Sequence, residues 1–181
     1  MITEFLPILL PLLFVGSIFA TIGGGGLGII LVFAFSFFTD IRTSVVVISL
    51  IGFAIQPAKI VQFYRYTRWD IVRWYAPVGV LMSVVGGMVL FSLPLRFVEV
   101  SIATLCIAFV LLQLSHVKIS IKPSPRIFVI LGAINGIVGG MIGEGTLVRS
   151  PVLLAIGLRK EVFIGTSSVI ALLMNIGKVS A

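Results

Sequence analysis

The chain has 181 residues, of which 59% are hydrophobic and only 10% are charged. Soluble domains carry about a quarter charged residues, and one core of this length could not bury so much apolar surface. The composition, with a mean hydropathy of +1.26, therefore excludes a soluble enzyme, a disordered tail and a nucleic-acid-binding domain. It predicts an all-α, polytopic transmembrane helical bundle in the cell membrane, with the net charge of +7 concentrated in loops.

The first apolar run, residues 5–39, contains no charged residue. As a single helix it would be about 52 Å long, whereas a hydrocarbon core of about 30 Å needs only about 20 residues. Gly23–Gly26 interrupts the run, and consecutive glycines are poor helix formers. The run therefore predicts two shortened helices, residues 5–22 and 27–38, that meet at a glycine break.

The later apolar segments follow in order along the chain. Three predicted spans cover residues 43–63, 71–91 and 97–114. A fourth, residues 127–142, runs into a second glycine break at Gly143-Glu144-Gly145, which a short apolar piece at 147–157 follows. The last predicted segment begins near Val162.

Basic residues in the loops predict the orientation of these spans. The loop 65–73 holds three arginines and one aspartate, and the loop 116–126 holds two lysines, one arginine and no acidic residue. Because short cytoplasmic loops carry an excess of Lys and Arg, both loops are predicted to be cytoplasmic and the turn at 92–96 to face outward.

A shift of 119 residues predicts an internal repeat. It aligns five positions without gaps: Gly24 with Gly143, Gly26 with Gly145, Ser49 with Ser168, Gln56 with Asn175, and Lys59 with Lys178. The predicted units are a first transmembrane repeat at 1–115, a basic cytoplasmic loop at 116–126 and a second transmembrane repeat at 127–181. The second repeat is expected to be incomplete, since the first has two more spans after Lys59.

Each repeat opens either with a glycine-broken helix that crosses once or with a re-entrant hairpin. Single crossings would make the two repeats parallel, whereas hairpins would make them inverted, which is a common plan in transporters. The hairpin alternative leaves the uncharged N-terminal stretch outside and places Arg159 and Lys160 with the other basic residues. That placement favours inversion.

The glycines have two interpretations. Small residues let helices approach closely, and this explains the spacing of Gly132, Gly136 and Gly140. Four consecutive glycines would instead break a helix, and irregular backbone at membrane depth occurs only inside protein or beside a water-filled cavity. The N–H groups that follow each break favour an anion-binding site, formed by Gly24, Gly25 and Gly26 in the first repeat and by Gly143 and Gly145 in the second.

Two lysines and two amides recur at equivalent positions. Lys59 by itself is explained by snorkelling to the membrane interface. The matching Lys178, with Gln56 and Asn175 one turn before their lysines on the same helix face, favours a polar lining that donates hydrogen bonds to an oxyanion. Ser167 is a further candidate donor to the anion. Alternatively, it forms a hydrogen bond between helices.

Glu144 lies inside the second glycine break. A carboxylate within a membrane is costly and is therefore usually paired or functional. Two interpretations stay open, which are an ion pair with Arg149 and a role in proton coupling.

These residues resemble the sulfite exporter TauE/SafE family of membrane permeases. The resemblance rests on the glycine cluster 23–26, on the segment 139–146 with Pro151 after it, and on the stretch from Gly165 to Lys178. It implies a multi-pass protein of a prokaryotic plasma membrane that transports small sulfur-containing anions, such as sulfite or organosulfonates, with the proton gradient.

The expected function is therefore a permease or exporter that works by alternating access around the two glycine breaks. The alternatives are an anion channel with the same lining and a non-transporting membrane scaffold subunit. No enzymatic activity, cofactor or metal site is expected, because the sequence offers no nucleophile–base pair or ligand cluster. The expected partners are a small anion and the lipid bilayer, with no nucleic acid and with a homo-oligomer left open.

Overall fold

The computed structural model describes residues 31–32, 35–36, 39–114, 121–143, 145–158 and 160–179. Its helices are α1 (Ile41–Phe63), α2 (Trp69–Ser92), α3 (Leu95–Leu114), α4 (Pro125–Ile142), α5 (Thr146–Ala155) and α6 (Lys160–Val179). A 3₁₀ turn, Tyr64–Tyr66, follows α1. The predicted helix 5–22, the first glycine break and Glu144 lie outside the described residues. Of the predicted helix 27–38, residues 31, 32, 35 and 36 are described, and they are helical.

The helices are those of a multi-pass membrane protein. Four of them, α1 with its 3₁₀ turn, α2, α4 and α6, are long and apolar enough to cross a membrane. The described ranges contain no strand. The predicted all-α transmembrane fold is confirmed.

Polar side chains cap the starts of α1 and α4. The helices α1 to α4 each start two residues before the predicted apolar run. At α1 the Asp40 carboxylate accepts hydrogen bonds from the Thr43 amide at 3.0 Å and from its hydroxyl at 2.6 Å. These bonds hold the pKa of Asp40 below its ordinary value, with the hydroxyl bond as the largest cause. At α4 the Ser124 hydroxyl caps the helix and Pro125 occupies its first position.

The glycines of α4 pack directly on the backbone of α2. A Cβ atom at Gly132, Gly136 or Gly140 would collide with a backbone carbonyl oxygen of α2, at Tyr75, Gly79 and Ser83 respectively. Each of these pairs is separated by 57 positions, so the two helices run parallel in a constant register. The interpretation of these glycines as close-packing residues is confirmed, because a side chain at any of them would push the helices apart.

Helices α1 and α6 run antiparallel. Near the start of α1, Ser49 bonds to the Gly143 carbonyl oxygen that Lys178, near the end of α6, also contacts. At the opposite end, the Thr166 hydroxyl of α6 accepts a hydrogen bond at 3.0 Å from the Arg68 amide, just beyond α1. Residues at the start of α1 therefore face residues at the end of α6.

Helices α4 and α5 form a hairpin. The Ile121 amide, which precedes α4, donates to the carbonyl of Ala155, the last residue of α5, at 3.0 Å. Both ends of the hairpin therefore lie at the end of the bundle that holds the loop 65–73, where α6 also begins. We call this the basic end, since Arg126 and Lys160 lie there as well. The hairpin alternative predicts this arrangement for the second glycine break.

The contact between α2 and α4 predicts a contrast between two alanine substitutions. Gly136→Ala would place a Cβ 2.5 Å from the Gly79 carbonyl oxygen, so we expect it to lower the free energy of unfolding by about 1–3 kcal/mol. Gly87→Ala meets nothing within 4 Å and should leave stability unchanged or raise it by up to about 1 kcal/mol, because Ala favours helix. Thermal unfolding in detergent measures both, and equal effects would contradict the packing described.

Candidate functional site

The second glycine break is a tight reversal buried between helices. Gly143 ends α4 with a φ of 83°, a left-handed conformation that glycine adopts without strain. Its amide donates to the Gly139 carbonyl at 3.0 Å. A Cβ at Gly139 would lie 2.9 Å from the Cα of Gly145, so the chain folds back onto α4 at once. Irregular backbone is thereby enclosed by protein, as a low-dielectric environment requires.

Two side chains bond to the end of α4. Lys178 donates from its ammonium to the Gly143 carbonyl at 2.9 Å and to the Gly139 carbonyl at 3.4 Å. The Ser49 hydroxyl is 3.1 Å from the same Gly143 oxygen and 2.8 Å from the Val45 oxygen. The last carbonyls of a helix carry partial negative charge, so the ammonium is stabilised there. The break thus presents carbonyl oxygens to Lys178.

A pocket of about 190 Å³ opens beside these two polar groups. Its walls are apolar, with Val45, Leu90 and Phe91 among them, and Ser49 and Lys178 are the polar side chains in its lining. Each water occupies about 30 Å³ in the liquid, so the volume corresponds to about six water molecules. A small oxyanion with part of its hydration shell fits such a space.

A second polar cluster lies on the other side of the break, where α5 begins. Arg149 is only 3% exposed. Its Nε donates to the Ser167 hydroxyl at 2.9 Å and its Nη2 to the Thr146 hydroxyl at 3.2 Å. Asn135 of α4 is fully buried, and its Nδ2 lies 3.2 Å from the Met174 sulfur. The position that a Cβ would take at Gly145 is 2.9 Å from Asn135 Oδ1 and 3.3 Å from Arg149 Nη1.

The predicted site residues fall at different levels of the bundle. Gly143 and Lys178 are in contact, Ser167 bonds to Arg149, and Asn175 is buried against Gly52. Gln56 and Lys59 lie further along α1 towards the basic end. Lys59 is ten residues beyond Ser49, which is about 15 Å along a helix, so the two predicted lysines do not meet. Gly24, Gly25, Gly26 and Glu144 lie outside the described residues.

Ser49, Asn135, Thr146 and Arg149 belong to these clusters and are absent from the sequence-based site. Ser49 appears in the repeat, paired with Ser168, but the repeat by itself does not show that it contacts Gly143. Asn135 is an amide in the middle of a charge-free span, and Arg149 is a cation within a short apolar piece. Polar residues at such positions are a signal for function in membrane proteins, and this signal could have found both.

A family model described as Sulfite exporter TauE/SafE matches residues 9–181 of the chain. The match spans nearly the whole sequence and includes the α4–α5 hairpin and α6. The resemblance seen in the sequence is thereby confirmed. Neither the comparison with curated proteins nor that with solved structures gives a match.

Alanine substitutions at Gly143 and at Gly157, which has a similar positive φ, test the packing around the reversal. Gly143→Ala adds strain from the positive φ and places a Cβ 2.7 Å from the Val45 carbonyl oxygen. Gly157→Ala has the same strain, at a φ of 91°, but meets nothing within 4 Å. We expect Gly143→Ala to be the more destabilising by about 1–3 kcal/mol in thermal unfolding. Equal losses of stability in the two variants would mean that α1 does not pack closely against Gly143.

Proposed function

The chain belongs to the sulfite exporter TauE/SafE family, a family of membrane permeases for sulfur anions, and we propose that it carries sulfite or a small organosulfonate by alternating access, coupled to protons. The observation that carries this proposal is the pocket beside the second glycine break. There an ammonium and a hydroxyl, Lys178 and Ser49, stand in an otherwise apolar lining.

The chemistry of the pocket suits a small oxyanion. In apolar surroundings the attraction between an ammonium and an anion is much stronger than in water. Lys178 already donates to two carbonyl oxygens, and an arriving oxyanion replaces one of these acceptors with a charged one. Anion binding would therefore loosen the contact between α6 and the end of α4. This exchange of hydrogen-bond partners at Lys178 couples substrate binding to the position of the hairpin.

The antiparallel pair of α1 and α6 supports alternating access. Lys178 and Asn175 lie in the half of the bundle away from the basic end, whereas Lys59 and Gln56 lie in the half near it. These are the residues that the repeat pairs with each other. The proposed path takes the anion from one lysine to the other as the hairpin moves. Glu144, next to Gly143, is the proposed proton carrier.

The carrier mechanism predicts a loss of exchange in Lys178→Met. We expect counterflow of labelled sulfite in proteoliposomes to fall about tenfold or more, because one charge-assisted bond to the anion is lost. Lys122→Met, at an exposed position in the basic loop, is the matched control and should exchange normally. Normal exchange in Lys178→Met would remove this lysine from the site.

The same assay separates a carrier from its alternatives. Vesicles preloaded in turn with sulfite, thiosulfate, an organosulfonate and a carboxylate should show saturable counterflow with the sulfur anions. Flux of anions without counterflow would identify a channel. Folded protein that supports neither would identify a scaffold subunit.

Proton coupling predicts a split phenotype for Glu144→Gln. Exchange at equal pH on both sides should persist, whereas the stimulation of transport by a pH gradient should disappear, since the amide cannot carry a proton. If Glu144 served only to pair with Arg149, the substitution would lower thermal stability and leave the stimulation intact.

A further inference from the structure

The pocket beside Ser49 and Lys178, which we call the Lys178 pocket, extends towards the end of the bundle opposite the basic end. The start of α1 and the end of α2 lie there, because the loop that joins these helices belongs to the basic end. Val45 and Val46 line the pocket about one turn nearer to that end than Ser49. Phe91, next to the end of α2, lines it from the other helix. We call these last three residues the outer rim.

Arg42 connects the two helices just beyond the outer rim. It lies three and four residues before Val45 and Val46, so the three residues share one face of α1. Its Nη2 donates a hydrogen bond to the carbonyl of Leu93, the residue that caps the end of α2. Leu93 comes two positions after Phe91. The Arg42 side chain therefore crosses from α1 to α2 at this end of the pocket.

The charge of Arg42 lacks an acidic partner within the part of the chain that the structure describes. No ion pair of Arg42 is found there. Asp40, two residues before it, instead accepts hydrogen bonds from the amide and the hydroxyl of Thr43. The Leu93 carbonyl that Arg42 contacts carries no net charge. A partly buried cation that is held by a neutral carbonyl favours an anionic ligand.

One edge of the Arg42 guanidinium is incompletely used. Its Nε is buried and has no hydrogen-bond partner among the described residues. Nε and Nη2 form an edge that can bind two oxygens of one anion. Arg68 binds Asp70 in this way, with its Nε at 2.8 Å and its Nη2 at 2.6 Å from the two carboxylate oxygens. The same edge of Arg42 has a neutral oxygen on Nη2 and no acceptor on Nε, and such buried polar atoms are rare.

We propose that Arg42 is the entry residue of the Lys178 pocket, the first residue to bind the anion, and that its Nε–Nη2 edge binds two oxygens of an incoming sulfite or sulfonate in place of the Leu93 carbonyl. This inference rests on the proposed transport function and deepens it. The exchange is favourable because a charged acceptor that binds both donors replaces a neutral acceptor that binds one. Breaking the bond to Leu93 separates α1 from the end of α2 and opens the outer rim.

The spacing of the two cations suits entry in two steps. Arg42 precedes Ser49 by seven residues, which is about 10 Å along a helix. Ser49 and Lys178 bond to the same Gly143 oxygen, at 3.1 and 2.9 Å, so the ammonium lies at the level of Ser49. An anion at Arg42 therefore has a second cation about two turns further in, beyond apolar walls. Attraction across apolar surroundings draws the anion towards Lys178.

The test measures counterflow of labelled sulfite in proteoliposomes as a function of sulfite concentration. Arg42→Gln removes the charge, and we expect the half-saturating concentration to rise about tenfold or more. Arg42→Lys keeps the charge but loses the edge, so we expect a rise of about three- to tenfold. Arg96→Gln and Arg96→Lys make the same changes at an exposed position at the same end of the bundle. These controls should stay within about twofold of the wild type.

A second measurement tests whether the bond to Leu93 closes the outer rim. Gly87 lines the pocket and a Cβ there meets nothing within 4 Å, so Gly87→Cys places a thiol in the pocket. The native cysteine, Cys106, is replaced by serine in this background. Alkylation by N-ethylmaleimide should be about threefold or more faster when Arg42→Gln is added, because the rim is then open more of the time. Equal rates with Arg42→Gln and with Arg96→Gln would overturn the closure.

Thermal unfolding separates a binding role from a structural one. If Arg42 served only to tie α1 to α2, both substitutions would lower the unfolding temperature and leave the half-saturating concentration unchanged. An unchanged half-saturating concentration in Arg42→Gln and Arg42→Lys would overturn the entry residue. Arg42→Lys keeps a donor for the Leu93 carbonyl, so it decides the question if Arg42→Gln does not fold.

The failure of this inference and the failure of the transport function give different results. Saturable sulfite counterflow with wild-type half-saturation in both Arg42 variants would keep the carrier and remove the entry residue. Binding of methanesulfonate in detergent that Arg42→Gln weakens, without counterflow in vesicles, would keep the entry residue and remove the carrier. Wild-type protein that neither binds nor exchanges any of the anions would overturn both.

Discussion

The carbonyl oxygen of Gly143 is the point on which the described architecture depends. A chain that reverses inside a membrane protein leaves backbone polar groups that lipid cannot satisfy. Here the Gly143 oxygen accepts hydrogen bonds from Lys178 of α6 and from Ser49 of α1. One hydrogen-bonding centre therefore holds three elements together, namely the antiparallel pair of α1 and α6 and the tip of the α4–α5 hairpin. The same centre borders the pocket, so the polar groups that stabilise the fold also line the proposed anion site.

The parallel packing of α2 on α4 determines what surrounds the other side of the break. Because Gly132 lies on the Tyr75 backbone, the tyrosine side chain enters the core at the level where α5 returns along α4. Asn135 lies one turn further along α4 and faces Gly145. The packing of α4 thus brings Asn135 to Gly145, where Arg149 also lies. The partial charge that faces each cation differs between the two sides of the break. Lys178 contacts helix carbonyls, which carry partial negative charge, whereas Arg149 lies near a helix N-terminus, which carries partial positive charge.

Much of the fold could be predicted from sequence because its signals are local. Charge-free runs indicate the spans, and the starts of α1 to α4 were each missed by only two residues. At α1 and α4 the polar caps Asp40 and Ser124 precede the apolar run. The site was predicted less completely. Glycine and lysine patterns pointed to Gly143 and Lys178, which are in contact, but also grouped Lys59 with Lys178. A repeat equates positions in two units without saying how far apart the chain then places them.

The sequence by itself determined that this is a membrane protein, and it determined the helical class, the family and the place where the second hairpin turns. These follow from hydropathy, glycine content and motif order, which act over one helix at a time. Only the tertiary structure decided that α4 and α5 return to the basic end, that Ser49 and Lys178 share one oxygen, and that Arg149 and Asn135 both lie at Gly145. The reason is physical: the hydrogen bonds of Ser49 and Lys178 to Gly143 join residues 94 and 35 positions apart. Their formation depends on how helices pack rather than on what each helix contains.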